Sequence, residues 1–473
     1  MKISALLENI PFEGNGEIDV NHVESDSRKV VPGCLFVCVK GYESDGHAYA
    51  KAAAEKGAAA ILAQDKIDVP CPVIYTKNTR RALAAACAAF HGHPSEKFTL
   101  IGVTGTNGKT TTTFLIKHIL ECAGKKVGLI GTNQNMIGQK AVEASRTTPD
   151  SFELQALFAK MAEEKCDAVV MEVSSHALYL DRVYGCDFDV GVFTNLTQDH
   201  LDFHKTMEAY LKAKAILFTM CKKGVVNADD AACDTLLKTG TCEFKTYSID
   251  KPSDIHATDV ELHKDGVSFA ACGTQFKLGI PGRFSVYNAL SAISAALALG
   301  IDKETIKEAL LSAHGVRGRA QVVDLGFDFT VLIDYAHTPD GIENILKTAK
   351  GFARGRVIIL YGCGGDRDAT KRPIMGEIAS RLADFSIITS DNPRTEDPHA
   401  IIEDILKGVS GEHVVIENRR EAISYALHHA KKDDVVILAG KGHETYQIIG
   451  KEKHHFDEEE ILYEIRDEMK AGK

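Results

Sequence analysis

Residues 104–112 read Thr104-Gly105-Thr106-Asn107-Gly108-Lys109-Thr110-Thr111-Thr112, and this stretch decides the fold of the chain. An apolar run over residues 98–103 leads into it, and a helical pattern over residues 111–123 follows it. A strand, a glycine-rich loop, a Lys-Thr pair and a helix, in that order, are typical of a phosphate-binding loop. Lys109 is expected to reach the terminal phosphates, and the Thr110 hydroxyl to bind Mg²⁺. Val103 occupies a position where the usual G-x-x-x-x-G-K-[ST] pattern has glycine, but the flanking strand and helix still predict nucleotide binding.

Composition sets the class of protein and excludes several partners. The 473 residues allow two to four domains, and an apolar fraction of 44% is ordinary for a globular protein. No apolar run approaches the ~18 residues that span a bilayer, and Met1 to Glu8 bring in charge too early for a signal-peptide core. The net charge of −11 argues against nucleic-acid binding. We therefore expect a cytoplasmic monomer without membrane insertion, whose anionic ligands are held by local Arg, Lys and backbone N–H groups.

The order of strand-like and helical runs predicts three α/β units. Residues 1–97 form a small N-terminal α/β domain, and residues 98–322 a central domain with a mainly parallel sheet and helices on both faces. Residues 323–473 form a third, Rossmann-like α/β domain. Within the central unit, residues 243–281 read as less regular and more β-like.

Two residues of the central unit are candidates for metal chemistry, and each also has an ordinary structural explanation. Glu172 ends an apolar run, where a carboxylate needs a cation or hydrogen-bond donors, although the segment also reads as a strand end followed by a helix cap at Ser174 or Ser175. His200 follows the next strand and could bind a metal, but a hydrogen-bonded structural histidine is commoner. Lys214, on a predicted helix over residues 207–218, reads by position alone as a solvated lysine.

The third unit carries four polar clusters, each after a predicted strand: residues 334–340, 362–368, 391–396 and 440–444. Open α/β sheets bind ligands at this edge. Arg367 and Arg394 suit carboxylates, and Glu444 suits an ammonium group. The mixture predicts a small zwitterionic, amino-acid-like substrate.

These motifs resemble the Mur ligase family nearly end to end, and within it the tripeptide synthetases. The markers are T-G-T-N-G-K-T-T at 104–111, M-E-V-S-S-H at 171–176, T-N-L-x-x-D-H-L-D at 194–202, A-K at 213–214, G-R at 318–319, Y-A-H-T-P-D at 335–340, G-C-G-G-D-R-D at 362–368, D-N-P-R at 391–394 and G-K-G-H-E at 440–444. The Val103 position fits the family's variant of the phosphate loop. The resemblance implies ATP- and Mg²⁺-dependent addition of meso-2,6-diaminopimelate to the D-Glu γ-carboxylate of UDP-N-acetylmuramoyl-L-alanyl-D-glutamate, through an acyl phosphate, in peptidoglycan precursor synthesis.

The resemblance also implies roles for residues near the phosphate loop. Catalytic roles fall to Lys109, Glu172, His200, Lys214 and Arg319. Metal ligands are Thr110, Glu172, His200 and Lys214, the last as an N6-carboxylated (carbamylated) lysine. The ATP contacts are Gly105, Thr106, Asn107, Gly108, Lys109, Thr110, Thr111, Asn288, Arg319, Asp334 and His337.

Substrate contacts follow from the same resemblance. The uridine side is assigned Ser25, Ser27, Tyr42, Glu43 and Ser44, and the rest of the nucleotide sugar Thr147, Thr148, Ser174, Leu180 and Arg182. The amino-acid pocket is assigned Arg367, Asp391, Asn392, Pro393, Arg394, Gly440 and Glu444. Arg146 and Leu180 depart from the family pattern at the sugar contacts.

Three other functions compete with this interpretation. The first is a lysine-adding ligase of the same family. Diaminopimelate differs from lysine by a distal carboxylate, so lysine as substrate would offer no partner for Arg394. A folylpolyglutamate-synthetase-like ligase shares the loop and the amide chemistry, but the N-terminal unit and the D-N-P-R cluster count against it. A nucleotide-gated binding protein without ligase activity is disfavoured by the presence of Lys109, Glu172 and Lys214.

Overall fold

Three predominantly parallel sheets, one in each unit, organise the computed structural model, which describes residues 1–41, 44–144, 146–263 and 265–471. The three-domain α/β fold class predicted above is confirmed.

The N-terminal unit is a four-stranded parallel sheet in the order β1-β2-β3-β4. Its strands are β1 (His22–Glu24), β2 (Cys34–Val37), β3 (Ala60–Ala63) and β4 (Val73–Tyr75). Its helices are α1 (Ile3–Leu6), α2 (Ala50–Glu55) and α3 (Thr79–Phe90), with 3₁₀ turns at Gly46–Tyr49 and Pro94–Lys97. Separate apolar clusters on the two faces of the sheet bury α1 and α3 on one side and α2 on the other.

The central unit is a nine-stranded sheet in the order β13-β12-β11-β10-β5-β9-β6-β7-β8. The strands are β5 (Thr99–Thr104), β6 (Val127–Ile130), β7 (Asn135–Ile137), β8 (Lys140–Val142), β9 (Ala168–Glu172), β10 (Phe188–Phe193), β11 (Cys221–Asn227), β12 (Glu243–Ser248) and β13 (Ile255–His256). The ladder is parallel except at the β7 and β8 edge. The β-like stretch adds a three-stranded antiparallel sheet of β14 (Thr258–His263), β15 (Gly266–Ala271) and β16 (Thr274–Leu278).

Helices cover both faces of the central sheet, as predicted. They are α4 (Lys109–Cys122), α5 (Ser151–Glu163), α6 (Ser175–Tyr179), α7 (Leu201–His204), α8 (Met207–Ala215), α9 (Cys233–Thr239), α10 (Arg283–Ala298) and α11 (Lys303–Ser312), with a 3₁₀ turn at Ile216–Thr219. One apolar core lies between the sheet and helices α4, α10 and α11, and a second lies under α5 on the opposite face. Both faces of β5 are therefore buried, which places the phosphate loop at the centre of the domain.

The C-terminal unit is a six-stranded sheet in the order β17-β18-β22-β19-β20-β21, parallel except for β17. Its strands are β17 (Gln321–Val323), β18 (Thr330–Asp334), β19 (Val357–Tyr361), β20 (Phe385–Ile388), β21 (His413–Val415) and β22 (Val435–Ala439), followed by the hairpin β23 (Tyr446–Ile449) and β24 (Glu452–His455). Its helices are α12 (Pro339–Phe352), α13 (Lys371–Leu382), α14 (Pro398–Leu406), α15 (Arg419–His429) and α16 (Glu458–Ala471). Because β18, β19, β20 and β22 are parallel neighbours, the four polar clusters emerge at one edge.

Candidate active site

The phosphate loop joins β5 to α4, and two of its glycines are required by backbone conformation and by space. Gly105 has φ +147° and Gly108, the residue that precedes α4, has φ +85°. A Cβ on Gly105 would lie 1.8 Å from the Thr194 Oγ1, and one on Gly108 would lie 2.4 Å from the Asn288 Oδ1. The absent side chains leave the loop backbone and the N-terminus of α4 accessible, as an anion-binding loop requires.

The Lys109 ammonium group folds back over this loop. Its Nζ donates to the carbonyl oxygens of Gly105 at 3.0 Å and Thr106 at 2.7 Å. Burial lowers the pKa of Lys109, opposed by the negative charges of Glu172 and Asp199. The lysine is thus held on the rim of the loop without a carboxylate partner within 4.0 Å among the described residues, available to an anionic ligand.

Glu172 ends β9 as a buried carboxylate surrounded by neutral donors. Its Oε1 accepts from the Thr110 hydroxyl at 3.0 Å and from the Thr132 N–H at 2.8 Å, and its Oε2 accepts from the Thr132 hydroxyl at 3.0 Å. The side chain is only 1% exposed, and no basic group of the described residues lies within 4.0 Å of the carboxylate. A buried carboxylate beside a hydroxyl of the phosphate loop is an oxygen donor set that fits a hard divalent cation such as Mg²⁺. The alternative helix cap also exists, since the Ser174 Oγ accepts from the Ala177 N–H.

Asp199 and His200 follow β10 and face both the central and the third unit. The His200 Nε2 lies 3.4 Å from the Asp199 Oδ2, and the same carboxylate lies 3.9 Å from the His337 Nε2 and 3.6 Å from the Lys371 Nζ. Burial lowers the pKa of His200 to about 3, so the imidazole is neutral at pH 7 and can act as a metal ligand. Burial opposes ionisation of Asp199, but the positive charge of Lys371 and the hydrogen bond from the His200 N–H, at 2.9 Å from the Asp199 Oδ1, lower its pKa. Sequence alone assigns Asp199 no role, because its contacts with His337 and Lys371 join distant segments of the chain.

Lys214 is not the solvated lysine that its position alone predicts. It is 1% exposed, its Nζ donates to the Gly105 carbonyl at 2.7 Å, and it lies 4.3 Å from the centre of the Tyr210 ring. Burial lowers the pKa of Lys214 well below its usual value, and Lys109 lowers it further. The prediction of a solvated lysine is therefore wrong, because the last turn of α8 packs against the phosphate loop.

A cavity of about 170 Å³ brings the predicted catalytic residues together. It is lined by the phosphate loop, Glu172, His200, Lys214, Arg319 and His337. Arg319 reaches this site from the linker to the third unit, and its Nη2 donates to the Thr110 hydroxyl at 3.1 Å. Lys109, Lys214 and Arg319, from three separate segments, thus share this cavity with two buried carboxylates, Glu172 and Asp199.

A second cavity, of about 530 Å³, shares the loop residues Asn107, Gly108 and Thr111 and opens on their other side. It brings together Asn288, Arg319 and Asp334, three of the predicted ATP contacts, while His337 lies in the smaller cavity. Asp340 also lines the larger cavity, and its Oδ2 accepts from the Asn107 Nδ2 at 2.7 Å. The Asn107–Asp340 contact ties the third unit to the phosphate loop, and its pairing was not foreseen from sequence.

Four of the predicted sugar-side residues form one hydrogen-bonded group beside Glu172. The Thr148 hydroxyl donates to the Glu172 carbonyl at 2.8 Å and accepts from the Ser174 N–H at 3.0 Å, and Arg182 donates to the Thr148 carbonyl at 3.2 Å. Thr147 joins them through the Thr132 hydroxyl at 3.0 Å and lines the smaller cavity.

Leu180 lies apart from that group, in a surface cavity of about 460 Å³ between the first and central units. The same cavity is lined by Lys40, Lys77 and Arg80. These three cations carry no sequence motif, and only the packing of the two units reveals them. The buried Thr79 hydroxyl at this cavity has no hydrogen-bond partner among the described residues.

The three predicted uridine-side serines lie around the N-terminal sheet. Ser25 follows β1 and donates its N–H to the Glu24 carboxylate, and Ser27 accepts from Lys56 through its carbonyl. Ser44 accepts from the Gly41 N–H at 2.8 Å. Tyr42 and Glu43 lie outside the described residues. None of these serines lines the cavities described above.

The predicted amino-acid pocket is assembled from loops after β19, β20 and β22. The Asn392 Nδ2 donates to the Glu444 Oε2 at 2.8 Å, and Asp391 is buried close by, where a Cβ on Gly440 would lie 2.6 Å from its Oδ2. Burial and the charge of Asp391 raise the pKa of Glu444. Pro393 is buried against Gly365.

Two arginines form the opposite, cationic part of this pocket. The Arg394 Nη1 donates to the Gly365 carbonyl at 2.7 Å, and the exposed Arg367 donates to the Asp366 carbonyl at 2.8 Å. Burial lowers the pKa of Arg394, and the neighbouring charge of Arg367 lowers it further. Neither guanidinium has a carboxylate within 4.0 Å among the described residues, so the pair presents unneutralised positive charge beside two carboxylates.

Comparison with known proteins decides the family. The Mur ligase family catalytic domain matches residues 19–94, the Mur ligase middle domain residues 103–296, and the Mur ligase glutamate ligase domain residues 318–442. The chain belongs to the Mur ligase family. The similar relatives include the UDP-N-acetylmuramoyl-L-alanyl-D-glutamate–2,6-diaminopimelate ligase of Clostridium botulinum, 49% identical over 99% of this chain and 100% of that protein. The ligase of the same name from Bacillus cereus is 49% identical over 98% of each chain.

A solved structure of a UDP-N-acetylmuramoyl-L-alanyl-D-glutamate–2,6-diaminopimelate ligase superposes on this Mur ligase with a TM-score of 0.71. The two chains are 31% identical and each is covered to 99%. Among the described residues of this Mur ligase, no helix combines the length and apolar character needed to cross a bilayer.

Proposed function

We propose that this Mur ligase joins meso-2,6-diaminopimelate to the γ-carboxylate of D-Glu in UDP-N-acetylmuramoyl-L-alanyl-D-glutamate, with conversion of ATP to ADP and phosphate. The observation that carries the proposal is the cluster in which Arg394 lies near Arg367 and near the carboxylates of Asp391 and Glu444. Diaminopimelate carries carboxylates and ammonium groups at both ends, so it matches both kinds of charge in this cluster. The names of the full-length relatives support the same substrate.

Each of the three units then has its own ligand. Residues 1–97 bind the uridine part of the nucleotide sugar, residues 98–322 bind ATP, and residues 323–473 bind the amino acid. The cations Lys40, Lys77 and Arg80 between the first two units suit the diphosphate of the nucleotide sugar, because arginine and lysine side chains neutralise phosphate oxygens. We further infer that the enzyme acts in the cytoplasm as a monomer.

The first half-reaction activates the D-Glu carboxylate. A carboxylate oxygen attacks the γ-phosphorus of ATP, the bond to the β,γ-bridging oxygen breaks, and ADP leaves with an acyl phosphate remaining. Lys109 and the N–H groups of the phosphate loop stabilise the phosphate oxygens, and Arg319, at 3.1 Å from the Thr110 hydroxyl, adds a guanidinium charge on the same side. Mg²⁺, held by Glu172, Thr110 and His200, would offset the charge of the phosphates.

Lys214 is proposed to act as a carbamate. Its neutral amine adds to the carbon of CO₂, so that an N–C bond forms as one C=O π bond breaks, and one proton is released. The resulting carboxylate would supply an oxygen ligand to the metal. The contact of its Nζ with the Gly105 carbonyl puts the group at the phosphate loop. A buried amine kept from protonation is suited to this addition.

The second half-reaction forms the amide. The free amine of diaminopimelate attacks the acyl carbon, the tetrahedral intermediate collapses with loss of phosphate, and the amine loses a proton. The ammonium-bearing end is oriented by Asn392, Asp391 and Glu444. A carboxylate of the substrate is bound by Arg394 and Arg367 through bidentate hydrogen bonds. Lysine lacks the distal carboxylate and would leave Arg394 unmatched, which disfavours it.

Phosphate release tests this function directly. Purified enzyme is given ATP, Mg²⁺, the UDP-linked dipeptide and, in separate reactions, meso-diaminopimelate, L-lysine or L-glutamate. We expect release only when both the dipeptide and diaminopimelate are present. Phosphate release in the L-lysine reaction and in neither of the other two would indicate a lysine-adding ligase. If none of the three reactions released phosphate, the proposal would be refuted.

A further inference from the structure

Lys441 is a completely buried lysine in the loop that follows β22. Its side chain is 0% exposed, whereas Glu444, three residues later, keeps 10% of its side chain accessible. The Lys441 Nζ lies 3.1 Å from the Glu444 Oε2 and 3.2 Å from the Asn392 Oδ1. Burying an ammonium group costs free energy unless the group is paired, so these two contacts indicate the role of the Lys441 side chain.

The contacts fix the orientation of the Asn392 amide. Its Oδ1 accepts from the Lys441 Nζ and from the Ile448 N–H at 2.9 Å, so its Nδ2 is directed to the Glu444 Oε2 at 2.8 Å. A flipped amide would place its NH₂ group against two donors. Lys441 and Asn392 therefore both bind one oxygen of Glu444, and no partner of Oε1 is found among the described residues.

The local charges show why a cation is needed at this point. Asp391 and Glu444 are two carboxylates in one buried loop cluster, and like charges disfavour joint ionisation. Burial and Asp391 raise the pKa of Glu444, whereas Lys441 opposes that rise. Arg419, which lies near Asp391, is paired with Glu458 at 2.7 Å, and among the described residues Lys441 is the cation within 4.0 Å of the Glu444 carboxylate.

We propose that Lys441 is a positioning residue that holds the Glu444 carboxylate and the Asn392 amide in place to bind the ammonium group of the incoming amino acid. The inference rests on the function proposed above and goes beyond it, since the hydrogen bonds of the Lys441 ammonium group are made with Asn392 and Glu444, two residues proposed to bind the substrate. Replacing such a residue should change KM for the amino acid and leave KM for the other two substrates unchanged, so its role can be measured.

The test is Lys441→Met, which keeps the length of the side chain and removes its charge. We expect KM for diaminopimelate to rise roughly 30-fold or more, the size expected when one partner of a buried charge pair is lost. KM for ATP and for the UDP-linked dipeptide should stay within about twofold, because Lys441 contacts neither proposed site. The matched control is Lys453→Met: Lys453 is exposed and lies 4.3 Å from the Tyr446 ring, which is 5.9 Å from Lys441. The control should change none of the three constants.

A double variant, Lys441→Met with Glu444→Gln, covers the case in which the single variant folds poorly. It removes both buried charges, so we expect thermal stability close to wild type together with weak diaminopimelate binding. An unchanged KM for diaminopimelate in Lys441→Met, or an equal rise of all three KM values, would overturn the positioning role. A wild-type enzyme that uses no amino acid would instead refute the proposed function, and this inference with it; use of L-lysine would refute only the choice of substrate, and the same KM comparison would then be made with lysine.

Discussion

The Arg394 Nη1 donates a hydrogen bond to the Gly365 carbonyl oxygen at 2.7 Å and so ties the loop after β20 to the loop after β19. The backbone of Arg394 is held as well, since its N–H donates to Ile448 at 3.1 Å and its carbonyl accepts from Gly450 at 2.7 Å. Its φ of +52° is unusual for a residue with a side chain, and the surrounding bonds maintain it. These hydrogen bonds therefore fix the orientation of the Arg394 guanidinium group before a substrate binds.

Replacing Arg394 should change the choice of amino acid. We expect Arg394→Ala to lower kcat/KM for meso-diaminopimelate roughly 100-fold or more, because a charge-assisted pair with the distal carboxylate is lost. KM for ATP should remain close to wild type. Steady-state kinetics with diaminopimelate and L-lysine measure the effect, and an unchanged ratio of the two kcat/KM values would refute the assigned role.

Amino-acid binding should weaken in mild acid because of Glu444. Burial and Asp391 raise the pKa of Glu444, so its carboxylate is protonated at a higher pH than an ordinary glutamate. The protonated form cannot neutralise an ammonium group, so KM for diaminopimelate should rise as the pH falls through this pKa. KM measured from about pH 5 to pH 8 reports the transition. In Glu444→Gln the acid-dependent rise should disappear and KM should be high throughout; an unchanged acid limb in that variant would assign the transition to another group.

Carbamylation of Lys214 should make the enzyme respond to CO₂. Activity should fall after dialysis against CO₂-depleted buffer and return with bicarbonate, because the carbamate of Lys214 would supply an oxygen ligand that the free amine lacks. ¹³C NMR of enzyme incubated with labelled bicarbonate should show a carbamate signal that Lys214→Ala lacks. Lys212→Met is the control, since Lys212 is exposed on the same helix and pairs with Glu208 at 2.8 Å. A carbamate signal that persists in Lys214→Ala would contradict the assignment.

Arg419 should govern the stability of the third unit. Its guanidinium is 0% exposed, pairs with the buried Glu458 at 2.7 Å and donates to the Ala439 carbonyl at 2.8 Å. Arg419→Met leaves Glu458 buried without its partner and should lower the free energy of unfolding by about 3–5 kcal/mol. Arg420→Met, at the exposed neighbouring position that pairs with Glu464 and Glu468, should cost less than about 1 kcal/mol. Urea unfolding followed in both variants checks the difference, and equal midpoints would contradict it.

Much of the fold could be predicted from sequence because the determining signals are local. The apolar run before Gly105 and the pattern after Lys109 specify β5 and α4, and the strand over residues 127–130 has the bounds that its residues predict. The ends of strands are harder to predict, because backbone pairing can continue through polar residues: β11 begins at Cys221 and includes Lys222 and Lys223 before its apolar residues. The helix predicted from Thr111 begins at Lys109, since residues of the phosphate loop itself form its first turn.

The site was harder than the fold to predict from sequence, because its residues come together from distant segments of the chain. Lys214 reads as solvated until α8 is seen to pack on the Gly105 carbonyl. Lys371 approaches Asp199 from 172 positions further along the chain, and the cations at the first interdomain cavity belong to no motif. The resemblance to a family supplied the roles of Glu172 and Lys214, and the burial and contacts of both agree with those roles.

The arginine and carboxylate groups of the third unit are proposed to select diaminopimelate for amide formation on D-Glu. The direct test is mass spectrometry of the UDP-linked product from a reaction that contains equal concentrations of meso-diaminopimelate and L-lysine. We expect a product that carries diaminopimelate in nearly every molecule, and an Arg394→Ala reaction in which this preference is lost. A wild-type product that carries mainly lysine, or an unextended dipeptide after ATP has been consumed, would contradict it.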